Sequence, residues 1–439
     1  MHLAARFPEV DNTTARADPR SGSQIDFSSF GHLARTAERG KFDFFFLAEG
    51  LRPREHKGRI DDLDVAGRPE SLTVLNALAG VTERLGLAAT VDTVFNEPYE
   101  LARRLATLDH LSAGRAGWNV VTSSGAFTGD NFRRGGCLDR GNLHPVPGPG
   151  RPPSTPCTRA AEFVATAREL WDSWAPDGTP RPFTHRGEHF DISGEFTVPR
   201  SPQGHPVLIQ AGDSDEDREF AASAADVVLT RHGTLEAGRA FYADVKARLA
   251  AHGRQPDDLK VMPAVTVVLG DTDAEARENA AAIRRLQVTP RNAILALEQV
   301  WGRDLSAYDP DGPLPDIDPA PEPDLARGRV RIKDPRAVAA RWRALSEARG
   351  LSIRQTVVET TARQSFIGTP ARVAAELEAF VDTGAADGFI LVPHLTPVGL
   401  DDFVDRVVPL LQERGSFRSE YTGTTLRSHL GLTEPVWKG

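Results

Sequence analysis

An (α/β)8 barrel of the TIM type, carrying loop insertions, is the fold the sequence predicts. Three observations point to it: eight short apolar runs, amphipathic stretches of helical length between most of them, and continuation of that alternation along the chain. The runs fall near 2–7, 42–48, 85–94, 116–122, 206–212, 225–230, 261–269 and 387–393. They are apolar throughout, as parallel strands covered on both faces must be. The helical stretches cover 28–39, 71–83, 98–111, 158–174, 214–224, 235–252, 273–286 and 370–383. A doubly wound open sheet shares the alternation, and the count of eight strands favours the closed barrel.

The 439 residues exceed the usual single-domain length. Barrels absorb loop insertions without needing a second core, so residues 1–439 are expected to form one domain. Two segments break the pattern. Residues 137–157 form a Pro/Gly-rich insertion whose part 141–157 is too rich in both residues for helix or central strand, and an exposed, mobile loop is expected there. Residues 287–335 carry a short helical run at 291–302 and then clusters of proline. A connection of that length is expected to be a lid over the open end of the barrel, with a solvated spacer as the alternative.

With 40% hydrophobic and 26% charged residues, the composition is that of a globular protein able to bury a large core. The formal net charge of −9, with arginines scattered rather than striped, argues against nucleic acid as a partner. No apolar run approaches the roughly 18 residues of a membrane span, and no leader pattern opens the chain, so a cytoplasmic location without membrane attachment is expected. Cys137 and Cys157 are too few for a disulfide framework and are read as free thiols. No cluster has metal-ligand spacing, and no nucleophile elbow, phosphate-binding Walker loop or dinucleotide fingerprint occurs. Hydrolase, kinase and nicotinamide-dehydrogenase chemistries therefore have no support, and no metal is expected.

The block LGLAATVDTVFNEPYELARRLATLDHLSAGRAGWNVVTSS from Leu85 to Ser124 reads as strand, turn, amphipathic helix, glycine exit and strand. Polar residues cluster where the two strands end: Thr90, Asp92, Thr93 and Asn96 at the first, Asn119, Thr122, Ser123 and Ser124 at the second. Those ends form the active-site face of a barrel, although turn-forming residues alone would give the same pattern. After the strand around Val207–Gly212, Asp213 and Ser214 stand where a helix begins. Unpaired N–H groups and the helix dipole suit a phosphate there, and a plain N-cap at Ser214 is the alternative. His56 follows the second strand and is a weak catalytic candidate against an ordinary loop histidine.

The Leu85–Ser124 block resembles that of the bacterial luciferase-like flavin monooxygenases, in the branch of nitrilotriacetate monooxygenase component A and dibenzothiophene-sulfone monooxygenase. FDFFFLAEG at 42–50, EFVATARELWDSW at 162–174, the run 185–230 and FIGTPARVAAELEAFVDTGAADGFIL at 366–391 are similar to the same family. The resemblance implies a luciferase-like barrel that takes FMN as FMNH2, reacts it with O2 to a C4a-(hydro)peroxyflavin and oxygenates a small organic substrate. It implies a separate NAD(P)H:flavin reductase as partner, and a homo-oligomer is expected. It also assigns cofactor-binding positions to Glu49, where the family has Asp, and to Thr90, Asn119, Ser123, Gln210 and Ser214. Two departures stand out. The family's glycine three residues after the phosphate-binding serine is Asp217 here, and its His and Arg-Tyr ahead of the helix at 158 are missing, with Cys157 at the Tyr position and His144 in proline-rich sequence. A catalytically impaired flavin-binding protein and an F420-dependent oxidoreductase remain as alternative functions.

Overall fold

The computed structural model describes residues 1–8, 14–15, 17–53, 55–60, 69–122, 126–132, 156–232, 234–320, 326–327, 332, 334–361 and 365–437. Eight parallel strands close into a barrel: β1 (His2–Arg6), β2 (Phe44–Leu47), β3 (Gly86–Asp92), β4 (Ala116–Val121), β5 (Val207–Ala211), β6 (Val227–Thr230), β7 (Lys260–Val265) and β8 (Gly388–Leu391). They pair in chain order, and β8 returns to β1 with Ala4 opposite Ile390. All eight lie within the runs read from the sequence except that β7 begins one residue early. One run is corrected: 261–269 is not a single strand. The chain turns at Thr266, and Val267–Leu269 leaves the barrel to pair with Phe366–Gly368.

Around the barrel run α1 (Phe27–Arg39), α2 (Ser71–Ala79), α3 (Pro98–Leu111), α4 (Pro156–Asp172), α5 (Asp215–Ala224) and α6 (Leu235–Leu249). After β7 come α7 (Asp273–Gln287), α8 (Pro290–Trp301), α9 (Pro335–Arg349), α10 (Ile353–Thr361) and α11 (Pro370–Asp382); α12 (Asp401–Arg406), α13 (Val408–Glu413) and α14 (Leu426–His429) follow β8. Three of these helices start alike. Thr289-Pro290, Asp334-Pro335 and Thr369-Pro370 each place a capping oxygen before a proline at the first helical position, where its missing N–H costs nothing; Glu97-Pro98 has the proline without a side-chain cap. The expected insertion at 137–157 is shortened by α4, which takes Pro156 and Cys157; the remainder, 137–155, lies outside the described residues.

Alternation along the strands makes two cores. Leu3, Ala5, Leu87, Ala89, Trp118 and Val120 face the helices, while Ala4, Phe44, Phe46, Ala88, Ile209 and Met262 face the interior. The N-terminal end of the interior is stoppered by α14 and the residue after it: Leu426 and Leu430 join that inner cluster. Gly86 and Gly117 make room for it: a Cβ on either would stand 2.5 Å and 3.3 Å from the Leu426 methyls. The helical run expected at 291–302 forms α8, which with α9, α10 and residues such as Leu305 builds a separate hydrophobic cluster around Trp301 and Trp342. Ala326–Arg327 pairs antiparallel with Glu55–His56, which pairs in turn with Arg59–Ile60, so this excursion is sewn to the chain leaving β2.

Candidate active site at the barrel mouth

Because Ala88 faces the interior, Thr90 and Asp92 share its face at the C-terminal end of β3, and by the same alternation Asn119 follows Gly117 inward on β4. Register places Thr90 opposite Asn119. Asn119 Nδ2 donates to Thr90 Oγ1 at 3.1 Å, which leaves Asn119 Oδ1 buried with no hydrogen-bond partner among the described residues. A buried acceptor without a donor costs about 1–3 kcal/mol, so its natural complement is an N–H or O–H from a ligand. On the outer face Trp118 Nε1 donates to the Val91 carbonyl at 3.1 Å and holds the two strand ends together. Asp92 caps the turn that follows, its Oδ1 accepting from the N–H groups of Val94 and Phe95.

Glu49, two residues past β2, joins this pair through Ser71. The Ser71 hydroxyl lies 3.2 Å from Glu49 Oε2 and 3.1 Å from the Thr90 carbonyl, and it has one proton for two acceptors. Burial, and then the nearby Glu70 charge, push the Glu49 carboxyl up to about 7. When protonated it can donate to Ser71 or to a ligand, which ends that competition. Glu49, Thr90 and Asn119 are therefore brought together.

Gln210 and Ser214 form a second group beside the first. Val207 and Ile209 face the interior, so Gln210, one residue on, faces outward. Its Nε2 donates to Asp217 Oδ1 at 3.1 Å. Ser214 caps α5: its Oγ accepts from the Asp217 N–H at 3.1 Å and donates to Asp217 Oδ2 at 2.7 Å. Ser123 and Ser124 lie outside the described residues.

His56 is set apart from both groups. Its Nε2 is 2.5 Å from Glu298 Oε2 on α8, and it helps line a cavity of about 670 Å³ with Lys57, Arg59, Arg291, Ile294 and Tyr308. Glu298, 1% exposed, also accepts from Lys57 Nζ at 2.6 Å and from the Leu305 N–H at 2.7 Å. Two residues passed over in the sequence also sit at strand ends on the mouth side. Arg6 shares the inward face of Ala4 and is buried, and buried His394, just past β8, has Nδ1 3.1 Å from Gln287 Nε2. An arginine inside the otherwise apolar run LAARF was the available signal for the first.

The luciferase-like monooxygenase family profile matches residues 11–387. The chain belongs to that family. Among its relatives, nitrilotriacetate monooxygenase component A of Aminobacter aminovorans is 39% identical over 445 residues, covering 95% of this chain and 92% of the relative. The dibenzothiophene-sulfone monooxygenase of Rhodococcus erythropolis (strain XP) is 36% identical, covering 100% of this chain and 98% of its own. The solved structure of EDTA monooxygenase from Chelativorans sp. BNC1 superposes with a TM-score of 0.72 at 28% identity, covering 99% of each chain. The resemblance carried by the Leu85–Ser124 block and its companions is borne out, and this member of the luciferase-like family is a flavin-dependent monooxygenase. No helix among its described residues is long and apolar enough to cross a membrane.

Proposed function

We propose that reduced flavin binds with its ring system at the barrel mouth against Glu49, Thr90 and Asn119, and that a separate NAD(P)H:flavin reductase supplies it. The observation that carries this reading is Asn119 Oδ1, a buried acceptor held in place by Thr90 and without a donor among the described residues, which a flavin ring N–H or ribityl hydroxyl would supply. When bound, the reduced flavin supplies the electrons that activate O2 for oxygen transfer to a small organic substrate. The protein's share is positioning and shielding. Asn119 and Thr90 fix the ring, and a neutral Glu49 carboxyl donates a hydrogen bond without adding a negative charge beside an electron-rich cofactor. Reduced FMN is the flavin the resemblance implies. Its phosphate does not fit the Ser214 end as folded, because the Asp217 carboxylate already fills it.

The excursion around α8 serves as the lid that keeps water off the reacting flavin, with Glu298 as its fastening to His56 and Lys57. Two measurements test these assignments. In anaerobic titration with reduced flavin, Asn119→Ala is expected to weaken binding about tenfold, the equivalent of one lost hydrogen bond. Unchanged affinity removes Asn119 from the site. With reductase and a turned-over substrate present, Glu298→Ala is expected to divert a several-fold larger share of consumed O2 to hydrogen peroxide while the barrel stays folded by circular dichroism. An unchanged peroxide yield removes the lid role.

A further inference from the structure

At the exit of β5 the chain builds a small anion cradle and fills it with its own side chain. The carboxylate of Asp217, in the first turn of α5, accepts from three donors: Ser214 N at 3.3 Å, Ser214 Oγ at 2.7 Å and Gln210 Nε2 at 3.1 Å. It lies directly on the backbone of Gly212, where an added Cβ would stand 2.4 Å from the Asp217 carboxyl carbon. A hydroxyl, a side-chain amide and an N–H at the head of a helix, approached across a glycine, are the donors a phosphate ester would use. Here a carboxylate uses them. Asp213, Asp215 and Glu216 flank it, so a second anion brought to this place meets like charge from four carboxylates in five residues.

The far side of the Gln210 amide indicates what the cradle accepts. A carboxylate accepts only, so the amide nitrogen of Gln210 must face Asp217, and the orientation of the amide is fixed by chemistry. Its Oε1 is then buried without a partner among the described residues, in a residue 4% exposed. An ionised phosphate has no proton to give to Gln210 Oε1 or to the Asp217 carboxylate; a neutral hydroxyl does.

We propose that Asp217 is a specificity-determining residue: its carboxylate occupies the place of the flavin phosphate, so the enzyme accepts reduced flavin whose side chain ends in a free hydroxyl as readily as the phosphorylated form. This rests on the flavin site at the barrel mouth and adds a statement about the tail. A flavin diphosphate or dinucleotide is disfavoured by the same charge.

The test is anaerobic titration of the full chain with reduced riboflavin and reduced FMN, in the wild type, Asp217→Asn and Asp217→Gly. Wild-type affinities for the two flavins are expected to agree within about threefold, and Asp217→Gly to raise the preference for FMN at least about tenfold. Asp217→Asn keeps the Ser214 cap and the helix, removes only the charge, and is expected to shift the preference the same way by about threefold or more. A wild-type preference for FMN above about tenfold, or a preference that neither variant moves, overturns the proposal and leaves the flavin site standing. Failure of every form to bind either flavin overturns both.

Discussion

Replacing Arg427 by methionine is expected to cost about 3–5 kcal/mol of folding stability, the largest effect among the substitutions considered, because it strands a buried carboxylate. Arg427 Nη1 lies 3.2 Å from Asp226 Oδ1 and Nη2 3.1 Å from Oδ2, and both residues are buried at the N-terminal end of the barrel. Burial alone would raise the Asp226 carboxyl. The Arg427 charge and hydrogen bonds, with the Leu208 N–H, outweigh it and hold the carboxyl below its ordinary value. Without the guanidinium, Asp226 keeps the Leu208 bond at 2.8 Å but loses its bidentate partner. The same arginine anchors the stopper, since its backbone N–H donates to Gln203 Oε1 and its Nη2 to the His205 carbonyl. Urea unfolding at neutral pH measures the loss. A difference below about 1 kcal/mol would show that the ion pair only breaks even against burial.

Glu49→Gln is expected to stabilise the protein in alkali and do little in acid. A carboxyl whose folded value is about 7 against an ordinary 4.5 binds its proton more tightly folded than unfolded. Its contribution to stability is whole below the unfolded value and drains away as pH climbs through the folded one, to a limit of about 3 kcal/mol for a shift of this size. Partial exposure lowers that limit. Glutamine has no charge to bury, so the stability difference between variant and wild type should widen by about 2 kcal/mol from pH 5 to pH 8. Parallel unfolding curves at the two pH values decide it. An equal difference at both would mean that Glu49 is ionised at neutral pH and cannot be the neutral donor proposed for the flavin.

The barrel was legible because strands covered on both faces write continuous apolar runs, and all eight ended within a few residues of where the runs did. Within 287–335 the helical run at 291–302 is matched by α8, whereas α9 and α10 beyond it were not read: Pro335, which in a string reads as a breaker, stands at the first position of α9 behind the capping Asp334. Period-two alternation sends Thr90 and Asn119 inward and Gln210, one past Ile209, outward, a division that a tally of polar residues at strand ends does not carry. The pairing of His56 with Glu298 joins residues far apart in sequence, and a single chain carries no local sign of it. Asp217 was visible as a departure from the family, but that its carboxylate folds back onto Ser214 and Gln210 follows only from the geometry.

The stopper formed by Leu426 and Leu430 ties a distant part of the chain to the floor of the barrel. It closes against Gly86 and Gly117 on two neighbouring strands and completes the inner apolar cluster. Cutting the chain before Leu426 would turn the side chains of that cluster toward water, so the barrel is closed in space by residues synthesised after its last strand.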